Sequence, residues 1–373
     1  MSDSDDASRA GGVLRIDLDA LAINWRAIVG RLAPGCRAAA VVKADAYGLG
    51  MARVAPVLAR EGCRRFLVAT LDEGMELRAL LPDTGILVLS GPLPGTAALF
   101  VARGLIPILN STEQAAEWEE AARRAGRRLD AALMVDTGMA RLGLSAAEAC
   151  RLAEDGAFRA AVAVELVLSH LACADEPDDP MNRLQLARFG AVRAKFPGIA
   201  GSLAASGGIF LGAEWHAEWV RPGAALYGLN PLFPQANPMA QVVRLQGRIL
   251  QVRDVDAGQT VGYGATHRMA APGRLAVIAA GYADGLPRSL GNRGGAIVGG
   301  IRVPLVGRVS MDLAIFDVSE APPALVRPGA LVDLIGPDNP VDAVAEEAGT
   351  IGYEILTALG RRYHRTYLGG GRP

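Results

Sequence analysis

The side chains that could do chemistry in this sequence follow its apolar segments, and the first of them is a lysine. Lys43 closes the segment CRAAAVVKA, and ADAYGLG follows at once. A single lysine at the end of a strand is often a surface residue whose amine reaches the solvent. Here later segments carry polar residues at the same place: Arg141 after the fifth, His170 and Asp175 after the sixth, Ser206 after the seventh, and Arg221 at the start of the eighth. Polar groups at so many strand ends predict an active site.

A lysine with tyrosine, arginine and serine nearby suits one kind of cofactor. Its amine can form a Schiff base with pyridoxal phosphate, whose conjugated ring stabilises carbanions. The phosphate of that cofactor needs hydroxyl groups and backbone amides. The stretches SGG at 206–208 and RPGAA at 221–225 could supply both. These residues are consistent with a pyridoxal phosphate site, although glycine-rich turns are common in folds of this kind.

Other common catalytic groups lack the spacing that they need. The four histidines lie on separate segments, and the four cysteines show no C-x-x-C pattern, so we predict neither a metal site nor disulfides. The sequence also lacks the G-x-S-x-G motif of serine hydrolases.

The order of the elements predicts how these side chains are positioned. Short apolar segments alternate with helical stretches such as TEQAAEWEEAARRAG, which is typical of a parallel sheet. Eight such segments predict a (β/α)8 barrel, in which the ends of the strands carry the chemistry at one mouth. An open doubly wound sheet is the alternative, but the glycine fingerprint expected after its first strand is missing.

A second domain is predicted where the pattern changes near residue 238. The later segments are rich in Val and Ile and are broken by Gly, Pro and Asp, as in an antiparallel β domain. We therefore predict an α/β protein with an N-terminal barrel at 13–238 and a mostly antiparallel β domain at 239–373. Residues 13–20 could be a strand that pairs with the second domain, and residues 1–12 are expected to be a disordered polar tail.

Composition narrows the possible partners and the compartment. The chain has 373 residues, 51% of them hydrophobic, and a net charge of −1. Without a long basic run, we expect no binding to nucleic acid or to an anionic membrane surface. We find no apolar segment of about 20 residues and no signal peptide, and cysteines without pairing patterns suit a reducing compartment. These features predict a cytoplasmic protein.

A series of separate motifs, in order from about residue 13 to 368, resembles the alanine racemases, which are fold-type III pyridoxal phosphate enzymes. The motifs are VVKADAYGLG around Lys43, VDTGMARLG at 135–143, LSHLACAD at 168–175, AASGG at 204–208, WVRPGAALYG at 219–228, VGYGATHR at 261–268, GYADG at 281–285, GRVSMD at 307–312 and IGYEILTALGRRYHR at 351–365.

This resemblance implies an isomerase that interconverts L- and D-alanine with pyridoxal 5′-phosphate. Lys43 would bind the cofactor and act as one base, and Tyr263 from the partner subunit of a head-to-tail homodimer would act as the other. The resemblance assigns the remaining residues as follows: Tyr47, His170, Ser206, Arg221, Gly223, Ala224 and Tyr353 to the cofactor, Arg141 and Met311 to the substrate carboxylate, and Asp175, Tyr282, Arg288 and Arg308 to the access corridor.

Arg221 and His170 resemble a hydrogen-bond chain that runs in this family from the tyrosine base to the pyridine nitrogen. A guanidinium has only donors, so the nitrogen facing Arg221 would remain an unprotonated acceptor. The cofactor ring would then be a weaker electron sink. We expect this to disfavour transamination as a side reaction.

The sequence departs from the family pattern at Met134. Many members carry a carbamylated lysine two residues before the aspartate of VDTGM, and its negative charge braces the arginine equivalent to Arg141. Methionine cannot carry that charge. We therefore expect another group to neutralise Arg141, and our hypothesis is a small bound anion.

Alternative functions are distinguished by particular features. A fold-type III decarboxylase would use a cysteine of the second domain, and the sequence has none after Cys173. A barrel-only pyridoxal phosphate carrier would lack residues 239–373. A racemase of broader specificity is the closest alternative, but such proteins are typically exported. A narrow corridor formed by Tyr263, Tyr353 and Met311 would favour alanine first and serine weakly. D-alanine for peptidoglycan is the usual product, and a catabolic role stays open.

Overall fold

The computed structural model describes residues 7–232 and 234–371, and these form two compact units. One unit contains residues 22–226 and 230–239, and the other contains residues 7–21, 227–229 and 240–371. Residues 1–6 of the expected tail lie outside the described residues. Arg248 donates hydrogen bonds to the carbonyl oxygens of Ala7 and Ala10 at 2.8 and 2.9 Å, just before strand β1 (Gly12–Asp17) and helix α1 (Leu18–Val29).

The first unit is built on parallel strands that match the apolar segments of the sequence. Its strands are β2 (Arg37–Ala38), β3 (Ala40–Val41), β4 (Arg65–Val68), β5 (Gly85–Val88), β6 (Ile106–Leu109), β7 (Leu129–Met134), β8 (Val162–Leu168), β9 (Ala200–Ser202) and β10 (Trp219–Val220). Strands β3 to β9 form one parallel sheet in chain order. Most of their residues are buried, which explains the near-continuous apolar runs.

Backbone hydrogen bonds close this sheet into a barrel. Strand β10 pairs in parallel with β2, and the amide of Val41 donates to the carbonyl oxygen of Pro222 at 2.9 Å. On the other side, the amide of Arg221 donates to the carbonyl oxygen of Ala204 at 2.9 Å, just beyond β9. The predicted (β/α)8 barrel is confirmed, because the first and last strands meet and leave no open edge.

Helices follow the strands, as the sequence predicts. They are α2 (Met51–Arg60), α3 (Leu71–Leu80), α4 (Ala97–Arg103), α5 (Thr112–Ala125), α6 (Ala146–Glu154), α7 (Gly156–Ala161), α8 (Pro180–Arg193) and α9 (Ser206–Leu211). Local sequence fixes several ends. Capping boxes start α3 at Thr70 and α6 at Ser145, and α5 stops at Gly126, which takes a left-handed conformation.

The second unit is mostly antiparallel, which confirms the other half of the predicted fold class. Its later elements are β11 (Val243–Val255), β12 (Thr260–Val261), β13 (His267–Arg268), β14 (Gly273–Ile278), β15 (Gly295–Val298), β16 (Ile301–Pro304), β17 (Ala314–Asp317), β18 (Leu331–Ile335), α10 (Val341–Ala348), α11 (Gly352–Ala358) and β19 (His364–Leu368). Short 3-10 turns at Tyr263–Ala265, Tyr282–Asp284 and Arg288–Leu290 connect strands of this unit.

Strand β1 belongs to the sheet of the second unit. It pairs antiparallel with β11 and parallel with β19, so the first strand of the chain lies between two strands from its C-terminal part. The 13-residue strand β11 also pairs with β14 and β18. In the part of the chain that the structure describes, no helix is both long enough and apolar enough to span a membrane.

Candidate active site

Lys43 begins an unusual turn at the end of the first barrel strand. The four residues that follow it, from Ala44 to Tyr47, all have φ between 53° and 56°, and Gly48 has φ of 81°. The amide of Gly48 donates to the carbonyl oxygen of Ala44 at 2.7 Å, so the segment is a left-handed helical turn. This conformation costs about 1–2 kcal/mol for each non-glycine residue. It persists only where the surroundings impose it, and such strain is concentrated at functional sites.

Lys43 also lines a cavity in the barrel unit. The cavity has a volume of ≈ 230 Å³, and its wall includes Arg141, His170 and Met134. Burial lowers the pKa of Lys43, and the positive charges of Arg141 and Arg221 lower it further, whereas Glu73 opposes them. A lowered pKa leaves more of the amine neutral at physiological pH, which is the form that attacks a carbonyl carbon.

Arg221 is buried at the carboxyl ends of strands β8 and β9. Its guanidinium donates to the carbonyl oxygen of Ser202 at 2.9 Å, to the hydroxyl of Ser202 at 2.6 Å and to the carbonyl oxygen of Ser169 at 2.6 Å. Burial lowers the pKa of Arg221 to about 10, so the group still carries its positive charge at neutral pH. A fixed positive charge with only donors is therefore bonded to Ser169 and His170, which line the cavity.

His170 lies beside Arg221, with its Nδ1 3.2 Å from one guanidinium nitrogen. Burial lowers the pKa of His170 to about 3, and the charges of Arg221, Arg141 and Lys43 act in the same direction. The imidazole is therefore neutral at physiological pH. Because the guanidinium can only donate, Nδ1 is the acceptor and Nε2 carries the hydrogen.

The hydroxyl groups of Ser206 and Tyr47 both lie close to the backbone of Gly223. Ser206 Oγ accepts hydrogen bonds from the amides of Gly223 and Ala225 at 3.0 and 3.2 Å. A Cβ on Gly223 would lie 2.3 Å from Tyr47 Oη, so only glycine lets the phenol approach this backbone. Tyr47, Ser206, Gly223 and the adjoining Ala224 are all buried. They form a compact polar cradle at the end of the barrel strands.

Arg141 is exposed and makes no ion pair among the described residues. Its nearest acidic neighbour in sequence, Asp136, accepts hydrogen bonds from the amides of Gly138, Met139 and Ala140 at 2.8–3.2 Å. That carboxylate therefore holds the loop. Met134, which replaces the lysine expected from the family pattern, is buried and uncharged.

The other predicted site residues of the barrel unit do not all gather in the cavity. Asp175 is exposed in the loop that follows β8 and is not among the residues that line the cavity. It was predicted for an access corridor, and that role remains a prediction.

The predicted residues of the second unit lie on neighbouring loops. The amides of Tyr282 and Ala283 donate to the carbonyl oxygens of Ser310 and Met311 at 3.0 and 2.9 Å, so these two loops are joined. A Cβ on Gly264 would be 3.2 Å from a guanidinium nitrogen of Arg308, which brings the Tyr263 turn to the same place. A Cβ on Gly291, just after the Arg288–Leu290 turn, would be 3.2 Å from the Cα of Arg308.

Large apolar side chains in these loops are exposed within the chain. Tyr263 is 71% exposed, Met311 is 54% exposed and Tyr282 is 45% exposed, and Tyr353 on helix α11 is 44% exposed. Aromatic and methionine side chains exposed together in this way are typical of a surface that binds another protein.

Two polar residues at the site were missed from the sequence. Glu73 accepts a hydrogen bond from the amide of Ala44 at 2.7 Å. Gln185, which is fully buried on α8, donates to the carbonyl oxygen of His170 at 2.9 Å and to Thr137 Oγ1 at 3.1 Å. The T-x-x-E capping-box pattern at Thr70 marked Glu73 as a cap but not its contact with the turn at Lys43. No sequence pattern marked Gln185.

The described residues contain no cluster of His, Cys, Asp and Glu that could hold a metal ion. The chemistry of the barrel site is instead set by an amine, a guanidinium, a neutral imidazole and hydroxyl groups. Such donors suit a carbonyl compound that carries an anionic group.

Comparison with known proteins agrees with both units. A family model described as the N-terminal domain of alanine racemase matches residues 16–231, and one described as its C-terminal domain matches residues 242–367. An alanine racemase of Rhodospirillum rubrum is 55% identical over 362 residues, which are 97% of this chain and 97% of the relative. A catabolic alanine racemase of Agrobacterium fabrum is 49% identical over 366 residues, covering 98% of this chain and 94% of the relative.

Solved structures give the same result. The crystal structure of alanine racemase from Bartonella henselae with covalently bound pyridoxal phosphate has a TM-score of 0.92 and 39% sequence identity to this chain. The match covers 96% of this chain and 100% of that chain.

Proposed function

This chain belongs to the alanine racemase family, and from that premise we propose that it interconverts L-alanine and D-alanine with pyridoxal 5′-phosphate as its cofactor. The observation that carries the proposal is the strained turn that holds Lys43 at the wall of a cavity that Arg141 and His170 also line. The relatives named above support the reaction, since they span nearly the whole chain.

The residues present fit this cofactor. Lys43 supplies the amine for a covalent link to the aldehyde. The buried hydroxyls of Tyr47 and Ser206 lie at a glycine where a Cβ would come within 2.3 Å of the phenol, which suits close approach of a phosphate to the backbone. Arg221 supplies a donor for the ring nitrogen, and helix α11 of the second unit carries Tyr353, which we also propose as a phosphate ligand. When bound, the cofactor stabilises the negative charge that develops on the substrate α-carbon.

Lys43 would act as the base on one face of the substrate. Its Nζ would take the α-proton from the bound substrate or return one to it. The lowered pKa of Lys43 helps both tasks, because the amine must be neutral to accept a proton. A positioned base of this kind contributes about 10²- to 10⁴-fold to the rate.

Tyr263 from a second copy of the chain would act on the opposite face. This proposal is supported by the exposure of Tyr263, Tyr282 and Met311, which would be covered in a homodimer. A phenol is a weak acid, so its deprotonated form needs positive charge nearby. Arg308 lies against the Tyr263 turn and could supply it. With two bases on opposite faces, the substrate need not turn over in the site.

Arg141 and the backbone of Met311 would hold the substrate carboxylate. Asp175, Tyr282, Arg288 and Arg308 would line the corridor through which the substrate arrives. A narrow corridor lined by aromatic and methionine side chains would favour alanine over larger amino acids, with serine as the weak alternative.

A direct experiment tests the activity and the cofactor together. Purified protein should absorb as a pyridoxal phosphate enzyme, and borohydride followed by peptide mapping should place the reduced cofactor on Lys43. In a separate sample that has not been reduced, a chiral assay should show that either enantiomer of alanine is converted into the other, and faster than serine is racemised. A colourless protein that takes up no cofactor, or carbon dioxide as the product, would contradict the proposal.

We further propose that the enzyme is cytoplasmic and supplies D-alanine for peptidoglycan. Cys36, Cys63, Cys150 and Cys173 are free thiols, which suits a reducing compartment. Since one relative is named as catabolic, a growth experiment is needed to distinguish a biosynthetic role from a catabolic one. The gene should restore growth of a bacterium that requires D-alanine, and its loss from the native host should create that requirement.

A further inference from the structure

We propose that Glu73 is a positioning residue for Lys43, because its carboxylate joins the ends of two neighbouring barrel strands and holds the left-handed turn that presents the lysine. The inference rests on the proposed function only for the role of Lys43. The contacts themselves stand on the structure.

The carboxylate of Glu73 uses both of its oxygens. Oε1 accepts a hydrogen bond from the amide of Ala44 at 2.7 Å, and Oε2 accepts one from the amide of Ala69 at 2.7 Å and a longer one from that of Thr70 at 3.3 Å. Ala44 follows Lys43 directly, and Ala69 follows β4 and lines the cavity. One side chain therefore fixes the distance between the lysine turn and the next strand end.

The turn needs this support because no side chain caps its N-terminus. Val42 precedes Lys43 and offers no side-chain hydrogen bond, so the amide of Ala44 depends on Glu73. Ala44 is also the first of the four non-glycine residues with positive φ. Hydrogen bonds from a backbone amide to a carboxylate are about twice as strong as neutral ones. This bond therefore acts at the residue where the strained conformation begins.

Helix α6 of the same barrel contains a matched arrangement without the additional contact. There Ser145 and Glu148 form the same capping box, and Glu148 Oε2 accepts hydrogen bonds from the amide and the hydroxyl of Ser145, both at 2.8 Å. Among the residues that the structure describes, Glu148 accepts no hydrogen bond from a neighbouring strand end. The capping box thus accounts for all of these contacts of Glu148. Glu73 forms a capping box too, but its hydrogen bond with the Ala44 amide lies outside that box.

Glu73 also contributes charge to the site. Burial lowers the pKa of Lys43, as do the charges of Arg141 and Arg221, and Glu73 is the group that raises it. His170 is neutral at physiological pH and adds no charge. Removal of the Glu73 charge should therefore lower the pKa of Lys43 further. A residue that only stabilised helix α3 would leave that pKa unchanged.

The experiment compares Glu73→Gln with Glu148→Gln in the full chain. The first readout uses cofactor-free protein, in which the rate of Lys43 reductive methylation is followed by mass spectrometry across pH. We expect Glu73→Gln to lower the pKa of Lys43 and Glu148→Gln to leave it at the wild-type value. The second readout is the rate at which each protein re-forms its covalent link with added pyridoxal phosphate, measured at a pH where Lys43 is neutral in all of them. Only the position of the amine then matters, and we expect the rate to fall only in Glu73→Gln.

With the cofactor bound, Glu73→Gln should lower kcat at least about tenfold with little change in KM, because the acceptor for the Ala44 amide is weakened. Glu73→Gln should lose at least as much thermal stability as Glu148→Gln, since both lose a charged capping box and Glu73→Gln also weakens the bond to Ala44. If Glu73→Gln loses stability alone, with the Lys43 pKa, the linking rate and kcat all at wild-type values, the inference is overturned.

If Glu73→Gln does not fold, Glu73→Asp keeps the charge and shortens the reach, and it should lower kcat and the linking rate while the Lys43 pKa stays closer to wild type. If wild-type protein proves to have no racemase activity, the proposed function fails, but Lys43 methylation still decides whether Glu73 acts on Lys43.

Discussion

The neutral state of His170 is the residue-scale feature with the clearest consequence for pH. Its folded pKa of about 3 is far below the ordinary value of 6.5, mainly because the ring is buried and also because Arg221, Arg141 and Lys43 surround it with positive charge. A site that holds this many cations close together tolerates only an uncharged imidazole. The imidazole of His170 therefore accepts a hydrogen bond from Arg221 and does not act as an acid.

This feature predicts how stability depends on pH. Between about pH 3 and 6.5 the unfolded chain binds a proton at His170 that the folded chain does not, so folding becomes less favourable as pH falls through that window. The contribution is fully present above 6.5. We expect cofactor-free His170→Gln to lose less stability than wild type between pH 7 and pH 4, by on the order of a few kcal/mol. Denaturant unfolding at each pH measures the free energy of unfolding. The same dependence of that free energy on pH in both proteins would contradict the prediction.

Arg141 leads to a second prediction at this scale. Met134 cannot supply the negative charge found at this place in many family members, and Asp136 is occupied by three backbone amides. We expect a small anion to bind beside Arg141. Crystals grown in bromide should show anomalous density there, and the KM for alanine should depend on halide concentration in wild type but not in Arg141→Ala. Neither density nor halide dependence would count against the hypothesis.

At the scale of elements, the residues at the strand ends were predictable, but the contacts that hold those residues in place were not. Apolar segments predicted the strands, and the polar residues that close them gave Lys43 and His170, because parallel strands of a barrel end at one mouth. Arg221 was predicted to open the eighth segment, but strand β10 ends at Val220, so Arg221 follows the strand. The left-handed turn after Lys43 could not be foreseen. Nothing in the types of Ala44 and Ala46 favours positive φ, and only tertiary contacts such as the one from Glu73 impose it.

Helix α8 shows the same limit and provides a test. Gln185 lies fully buried on it, donates to Thr137 and to the His170 carbonyl oxygen, and accepts from the amide of Ala172 at 2.7 Å. A buried glutamine within an amphipathic pattern looks like a solvent-facing residue until the neighbouring loops are in place. Its three bonds join the loop before Arg141 to the loop of His170.

We expect Gln185→Met to lower both stability and kcat. The volume is nearly conserved, but the Ala172 amide loses its acceptor and the His170 carbonyl oxygen loses its donor, which costs about 1–3 kcal/mol. Asn182→Leu is the control, because Asn182 is also fully buried on α8 but donates to the carbonyl oxygens of Cys173 and Glu176 instead. It should lose comparable stability with a smaller effect on kcat. Equal effects of the two variants on kcat would assign Gln185 a purely structural role.

At the scale of the whole molecule, our proposal is that the second unit completes the site of another copy. The sequence predicted its β-rich character from Val, Ile and turn residues. It could not show that residues 227–229 belong to the same compact unit as residues 240–371. Three residues that pack with another unit leave no pattern in the composition of the chain. The role of Tyr263 was predicted from resemblance alone and stays a prediction, which its 71% exposure supports.

Mixed dimers provide the test of shared sites. We expect Lys43→Ala and Tyr263→Ala to be nearly inactive alone, and their co-expressed mixture to recover about one quarter of wild-type activity, since random pairing makes half of the dimers mixed and each has one intact site of two. A mixture of Lys43→Ala with Ser206→Ala should recover nothing, because both residues lie in the barrel unit. Recovery in neither mixture would show that each site is built from one chain.

Strand β1 lies between β11 and β19, and this has a consequence for synthesis on the ribosome. Its residues Gly12–Asp17 leave the exit tunnel first, but their neighbours Val243–Val255 and His364–Leu368 are made much later. A nascent chain must therefore keep an apolar, unpaired segment available while more than 200 residues are translated. We expect stalled chains that end before residue 364 to expose that segment to chaperones and proteases, and completion of the last strand to end the exposure.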